Sequence, residues 1–412
     1  MNIHFICRHF NDLDHAIPLA VFFRKVLSKS EIEIIYHGDS FHNNLLRDNK
    51  ILNLTKFKIG FKLCIEDKIS IKLMLLIQHN KIFSKLKIFK YLFNSIINRI
   101  NNPLNYCKNY ISKLSPKKDI VFFDLHIEKK FNKILIDILK KKQVKVYAFS
   151  HGLTLFSYKR RDFSKTYKPN KHPYQVYDNI LLSNDFHRNF YDTKGLNKKY
   201  TISIGSPRFS YFWIKQLNLF YKTRVVNKTS KKNSILFFIE KGDSYAKGLH
   251  QKITDTKEQE KILNFLNNQN EFIVFVKMNT RGLNKNQLNY KSKYKNLCFF
   301  DNKTQSSILI DKANFIFSGG GSSIICEAFL KNKPTFLFKY LHPNHKLIYD
   351  RLGFPNIIKN FDDFIQNYYS LIIQNSKKIY VPNFKLKNFV KEYIGTDIQI
   401  EKNIKNFIKN IN

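Results

Sequence analysis

Acidic residues are scarce in this chain: 31 Asp and Glu stand against 71 Lys and Arg, a formal net charge of +40. A chain so basic is drawn to anionic partners, whether nucleic acid, acidic lipid or phosphorylated substrates. Cysteine is scarce as well. Cys7, Cys64, Cys107, Cys298 and Cys326 are odd in number and widely spaced, with no Cys-x-x-Cys pair. That pattern excludes a disulfide framework and a zinc cluster and fits reduced thiols. Nowhere do about 18 uncharged apolar residues run together, so no transmembrane helix is expected. Residues 1–6 are apolar but reach Cys7-Arg8-His9 without a basic start, so no signal peptide is expected. The expectation is a cytoplasmic protein, soluble or peripheral on the inner face of the cytoplasmic membrane.

What is present is the material of a folded, globular protein. A length of 412 residues suits two or three domains, and 43% hydrophobic with 15% aromatic residues is a globular composition. Lys, Asn, Ile, Phe and Tyr dominate as they do in AT-rich coding sequences, which accounts for part of the basic excess. The basic residues are spread along the chain, with no zinc finger, RRM-like aromatic signature or helix-turn-helix, so no nucleic acid is expected as partner. An anionic membrane surface remains a candidate partner. Residues 85–93, continuing to 100, alternate Lys with aromatic and aliphatic positions, as a helix lying on acidic lipid would.

The opening reads as strand (residues 3–7), polar loop (11–15), helix (16–27) and strand (32–36), a βαβ start. A Lys-rich helical region covers residues 69–114, and strands are expected at 119–124, 143–149, 179–182 and 200–204. After a polar linker at 227–233, strands are expected at 234–239, 271–277, 297–300, 313–317 and 335–338, with helices at 257–267 and 323–330 among them. Alternating strands and helices in both halves imply two doubly wound parallel sheets with ligands at their carboxyl edges. The expected domains are 1–226, binding acceptor; 227–386, binding a nucleotide donor; and a C-terminal helix at 387–412 that can cross back to the first.

The strongest local pattern is Phe315-Ile316-Phe317-Ser318-Gly319-Gly320-Gly321-Ser322-Ser323, followed by Ile324 to Ala328. An apolar strand runs into a glycine turn, and two hydroxyl residues cap a helix whose free N–H groups suit phosphate. Glu327 lies one turn beyond Ser323, placed for sugar or ribose hydroxyls. The spacing is neither a dinucleotide fingerprint nor a Walker loop. His151 directly follows an apolar run and precedes Gly152, where an imidazole can serve as general base. Arg208, in Gly205-Ser206-Pro207-Arg208, is available for phosphate. Asp12, Asp14 and His15 offer a base or acceptor contacts in the first βα loop, or merely a polar cap for the helix. Lys277 and Arg281 leave a second-half strand as a cation pair, and His342-Pro343 follows a later one, where His342 can meet a base.

Together His151-Gly152, Ile204-Gly205-Ser206-Pro207-Arg208-Phe209, the serine turn with Glu327, and Asp12-Leu13-Asp14-His15 resemble the GT-B-type bacterial surface-polysaccharide transferases. That group includes the CDP-glycerol glycerophosphotransferases and capsule glycosyltransferases. The resemblance implies an α/β GT-B-like fold of two Rossmann-like domains with a cleft between them, an inverting reaction, no cofactor and no essential metal. The CDP-glycerol enzymes carry a Lys-x-His-Pro pattern where Lys277 is here followed by Met278-Asn279-Thr280, and Leu153-Thr154-Leu155-Phe156 replaces their basic turn. These departures favour a sugar donor. The expectation is a glycosyltransferase using a CMP- or UDP-sugar on a polysaccharide or lipid-linked acceptor. Ser318 to Ser323, Glu327, Lys277, Arg281 and His342 would hold the donor. His151 or Asp14 would take the proton, and Asp12, His15 and Arg208 would contact acceptor or phosphate. Polyol-phosphate transfer, nucleotide-sugar epimerisation and a non-catalytic basic binding protein are the rival readings.

Overall fold

The computed structural model describes residues 1–8, 10–37, 57–63, 103–125, 130–150, 172–221, 233–239, 256–278, 289–300, 304, 306–319, 324–341, 356–373 and 388–411. The proposed lipid-facing segment at 85–100 lies outside them. The described residues fall into two compact units, one drawn from 1–150, 172–181 and 199–202, the other from 182–198 and 203–411. Among the described residues no helix is long and apolar enough to cross a membrane.

The first sheet contains β1 (Asn2–Cys7), β2 (Ile32–Tyr36), β3 (Gly60–Leu63), β4 (Asp119–Asp124), β5 (Lys145–Phe149), β6 (Asn179–Leu182) and β7 (Thr201–Ser203). Their order is β3-β2-β1-β4-β5-β6-β7, and the pairings from β3 to β6 are parallel. Both faces are covered, so β1, β2 and β4 are buried along nearly their whole length and read as continuous apolar runs. Register places Phe5, Phe122 and Tyr147 side by side, and their rings stack at 5.1 and 5.3 Å. The opposite face of β1 carries His4. Its ring meets Asp119 at 3.2 Å and the Tyr110 hydroxyl at 2.6 Å, and Tyr110 in turn donates to Glu33. Lys62 closes that buried network on Glu33 at 2.7 Å.

Helix α1 (Phe10–Val26) begins before the expected start at residue 16, so Asp12, Asp14 and His15 are helical rather than in a loop. The polar residues that suggested a loop are those a helix favours in its first turn: the Asp12 carboxylate accepts the Arg8 N–H at 2.9 Å.

The second sheet contains β8 (Ser234–Phe238), β9 (Ile273–Lys277), β10 (Cys298–Phe300), β11 (Phe315–Ser318), β12 (Thr335–Phe338) and β13 (Ile357–Ile358). It is parallel throughout, in the order β10-β9-β8-β11-β12-β13. Both sheets thus repeat the doubly wound order 3-2-1-4-5-6, with the direction of winding reversing between the first and fourth strands of each. On one face Phe317 stacks on Phe336 at 4.8 Å over the buried Phe364 and Tyr368. On the other face Phe238 and Ile316 pack against Leu309, Ile310 and Ala328, from α2 (Ser306–Lys312) and α3 (Ile325–Leu330).

The tail is not one continuous helix. A π-turn at Val390–Ile394 ends at Gly395, and α4 (Asp397–Ile411) follows, burying Ile400, Ile404, Phe407 and Ile408. The displaced carbonyls of the π-turn are used. Tyr393 O accepts from Asn184 Nδ2 at 2.8 Å, and Ile394 O from Ser206 N–H at 2.6 Å. Asp397 accepts the Phe212 N–H at 3.0 Å. Gly205 at φ +92° and Gly395 at φ +86° lie against each other, and a Cβ on Gly205 would stand 2.5 Å from Ile400 Cγ1.

Two expectations follow. Gly205→Ala combines an unfavourable left-handed backbone with a clash, and should lower unfolding free energy by about 2–4 kcal/mol, read from the urea midpoint. His187 is wholly buried beside Tyr191, and burial lowers its pKa to about 4. Between that value and an ordinary pKa of about 6.5 the unfolded chain carries a proton the folded chain refuses. Stability should therefore fall as pH drops through this window, by at most roughly 3 kcal/mol. In urea titrations at pH 7 and pH 5, His187→Phe should lose that slope; an unchanged slope would assign the acid sensitivity elsewhere.

Candidate functional site

Winding order dictates where polar groups can gather. In the second sheet the reversal lies between β8 and β11, whose carboxyl ends are the place where this architecture binds ligands. Register sets Phe300, Lys277, Phe238, Ser318 and Leu337 in one row at that edge. Lys277 and Ser318 thereby share a face and lie two strand spacings, about 10 Å, apart. Ser318 is fully buried, and its Oγ has no hydrogen-bond partner among the described residues. A hydroxyl in that condition costs stability unless a ligand or neighbouring group meets it. Lys277 is buried too, with Nζ 3.3 Å from the Met278 carbonyl. Gly319 continues from Ser318 and is buried. Gly320, Gly321, Ser322, Ser323, Arg281, His342 and His151 lie outside the described residues.

Helix α3 begins two residues after the serine pair and covers the face that carries Ser318. Its Glu327 is fully buried and engaged on both carboxylate oxygens. Arg208 Nη2 stands 3.3 Å from Oε2, and Lys331 Nζ 3.0 Å from Oε1. Lys331 also donates to Ser307 Oγ at 2.7 Å and pairs with Asp311 at 3.0 Å. Burial alone would raise the Glu327 carboxyl, but Lys331, Arg208 and hydrogen bonds outweigh it and hold the group below its ordinary value. The structure thus joins two residues picked separately from sequence, Arg208 and Glu327, in one ion pair. Arg208 is buried rather than displayed to solvent.

In the first sheet the reversal lies between β1 and β4. Cys7 ends β1, Asp124 ends β4, and Asp12 reaches the same edge from α1. Burial first, then the Asp12 and Asp124 carboxylates, push the Cys7 thiol well above its ordinary pKa, which marks both carboxylates as its neighbours. Both are buried, and the Tyr177 hydroxyl donates to the Asp124 carbonyl at 3.2 Å. Asp14 and His15 follow on α1, half-buried. Asp124 was not selected from the sequence. Its signal was available, a carboxylate closing the apolar run Ile120-Val121-Phe122-Phe123, the same signal that singled out His151. Among the described residues, no cluster of three His, Cys, Asp or Glu side chains could hold a metal ion.

No protein-family model matches the chain, and no curated protein matches it in sequence. Solved structures do match in fold. UDP-GlcNAc 2-epimerase from Neisseria meningitidis, bound to UDP-GlcNAc, is 12% identical with a TM-score of 0.57, over 100% of this chain and 99% of that one. The UDP-N-acetylglucosamine 2-epimerase of Rickettsia bellii is 13% identical with a TM-score of 0.55, over 100% and 96%. Anabaena HepE, in complex with UDP and glucose, is 9% identical with a TM-score of 0.54, over the whole of both chains. The fold is GT-B-like, α/β with two parallel Rossmann-like sheets, as in those proteins.

Removing the anion from the buried network leaves Arg208 and Lys331 facing each other. Glu327→Ala should therefore cost about 3–5 kcal/mol in unfolding free energy. A cost below about 1 kcal/mol by urea denaturation would show that the ion pairs contribute little to the fold.

Proposed function

We propose that the protein is a glycosyltransferase that moves a sugar from a CMP- or UDP-sugar to a surface-polysaccharide or lipid-linked acceptor. One observation carries this reading: the fully buried Ser318 hydroxyl, without a hydrogen-bond partner among the described residues, at the switch point of the second sheet and directly before the glycine-serine run of the sequence. A switch-point edge followed by a glycine-serine run is suited to a nucleotide phosphate. The GT-B-like fold and the nucleotide ligands named for its structural neighbours support the same reading.

In this proposal Ser318 to Ser323 hold the phosphate, Glu327 governs the ribose side, and Lys277 or Arg281 meets the charge on the leaving group. His342 contacts the base. The acceptor hydroxyl attacks the anomeric carbon, and the bond from that carbon to the phosphate oxygen breaks with inversion. The nucleotide leaves with the bonding electron pair, and His151 or Asp14 takes the acceptor's proton. Asp12 and His15 orient the acceptor, and Asp124 belongs to the same carboxyl edge of the first sheet. Arg208 lies buried against Glu327.

Nucleotide-sugar 2-epimerisation is the second reading, favoured by fold matches to UDP-GlcNAc 2-epimerases across the whole chain. Incubation with UDP-GlcNAc and no acceptor separates the two. A C2 epimer appearing without acceptor favours the epimerase; free nucleotide appearing only when acceptor is added favours the transferase.

Two variants test the assigned roles. Ser322→Ala with Ser323→Ala should weaken nucleotide binding by about two to four orders of magnitude, since each of the two hydrogen bonds to charged phosphate is worth roughly 1.5–3 kcal/mol. His151→Ala should lower turnover by roughly two to four orders of magnitude with nucleotide affinity nearly unchanged. Calorimetry and product assays on folded variants read both. Unchanged affinity in the serine variant removes the donor-site assignment, and near-normal turnover in the histidine variant moves the base to Asp14.

A further inference from the structure

We propose that Arg208 is a positioning residue for the nucleotide site, fixing the Glu327 carboxylate through a buried ion pair that ties the Gly205–Phe209 turn to the helix behind the serine turn. This inference rests on the nucleotide reading and assigns Arg208 a task that reading leaves open. Arg208 reaches Glu327 across 119 residues of sequence, so the contact is one only the fold can make. Lys331, the other cation on Glu327, comes from one turn along the same helix and is shared with Ser307 and Asp311 of α2. Lys331 therefore moves with the helix and cannot fix its place against the preceding turn. Arg208 can.

The base of Arg208 is itself anchored. Pro207 sets the backbone angle of the turn, and Phe209 N–H donates to the Ser206 carbonyl at 3.0 Å. Ser206 N–H is held by the Ile394 carbonyl, and Gly205 is pressed against Gly395. The guanidinium lies 5.0 Å over the Phe209 ring, which leaves its edge for the carboxylate. The contact to Glu327 is made through Nη2, so a lysine at 208 keeps the charge that holds the carboxylate and loses the stacking.

Helix α3 packs on the face of β11 that carries Ser318. If Glu327 slips, the packing of that helix behind Ser318 shifts as well. Taking away Arg208 leaves a fully buried carboxylate with one shared cation, a state the helix escapes by moving Glu327 toward water. Taking away both charges removes the reason to move.

The test is nucleotide binding by the full chain. UDP, CDP and CMP are titrated by calorimetry into the unsubstituted protein and into Arg208→Met, Arg208→Lys, Glu327→Gln and Arg208→Met/Glu327→Gln, each checked by circular dichroism. The inference expects Arg208→Met to weaken binding at least tenfold, Arg208→Lys to recover most of that loss, and the double variant to bind no worse than Glu327→Gln alone. Should Arg208→Met not fold, the comparison of the double variant with Glu327→Gln carries the same decision. Losses that multiply in the double variant, or a folded Arg208→Met with unchanged affinity, would overturn the inference while leaving the nucleotide reading intact. Failure of the unsubstituted protein to bind any of the three nucleotides would overturn the reading and the inference with it.

Discussion

A parallel sheet covered on both faces tolerates a polar side chain only where a strand ends or where a partner neutralises it. Nearly every feature of this protein follows from that constraint. Strands β1, β4, β8 and β11 are buried almost from end to end, and their interiors are filled by Phe, Ile, Val and Leu. The polar exceptions sort into two kinds. His4, Glu33 and Asp119 lie toward the strand starts and are closed into a network by Tyr110, Asn2 and Lys62. Lys277 and Ser318 lie at strand ends, on the edge where ligands bind in this architecture. The first kind holds the fold together, and the second stands at the carboxyl edge of the second sheet.

The same constraint explains the pairing of Arg208 with Glu327. A carboxylate with no exposed surface is stable only with its charge matched, and one of the two matching cations comes from a distant turn. That turn is held by close approach of two glycines and by carbonyls that a π-turn presents to Asn184 and Ser206. The C-terminal segment is thereby coupled to the residues behind the serine turn through backbone geometry and one ion pair, all inside the second unit.

Much of this was legible in the chain. Strands β6 and β12 match the expected residues 179–182 and 335–338, because short apolar runs between polar breaks have few other solutions. The α/β class and the parallel sheets followed from the alternation of such runs with helical spacing. Glycines and serines after Phe317 marked the carboxyl edge of β11. Strands β3 and β13 were not foreseen, being four and two residues long, too short for a period to register. The start of α1 was misread because polar residues that satisfy a helix's first amides look like a loop until their partners are known. The Glu327 network was not foreseen: the four-residue spacing to Lys331 is local but marks any helix face, and no local pattern announces a partner 119 residues away. Asp124 closes a strand buried throughout, and an apolar run reports burial without singling out the residue at its end.

Hydrogen exchange with and without saturating UDP or CMP tests the central claim, that the carboxyl edge of the second sheet is the nucleotide site. The account predicts that amides in residues 315–330 and 273–278 exchange at least about tenfold more slowly with nucleotide bound, while those of β1, β4 and β5 hold their rates. Protection confined to the first sheet, or none anywhere at saturating nucleotide, would contradict it.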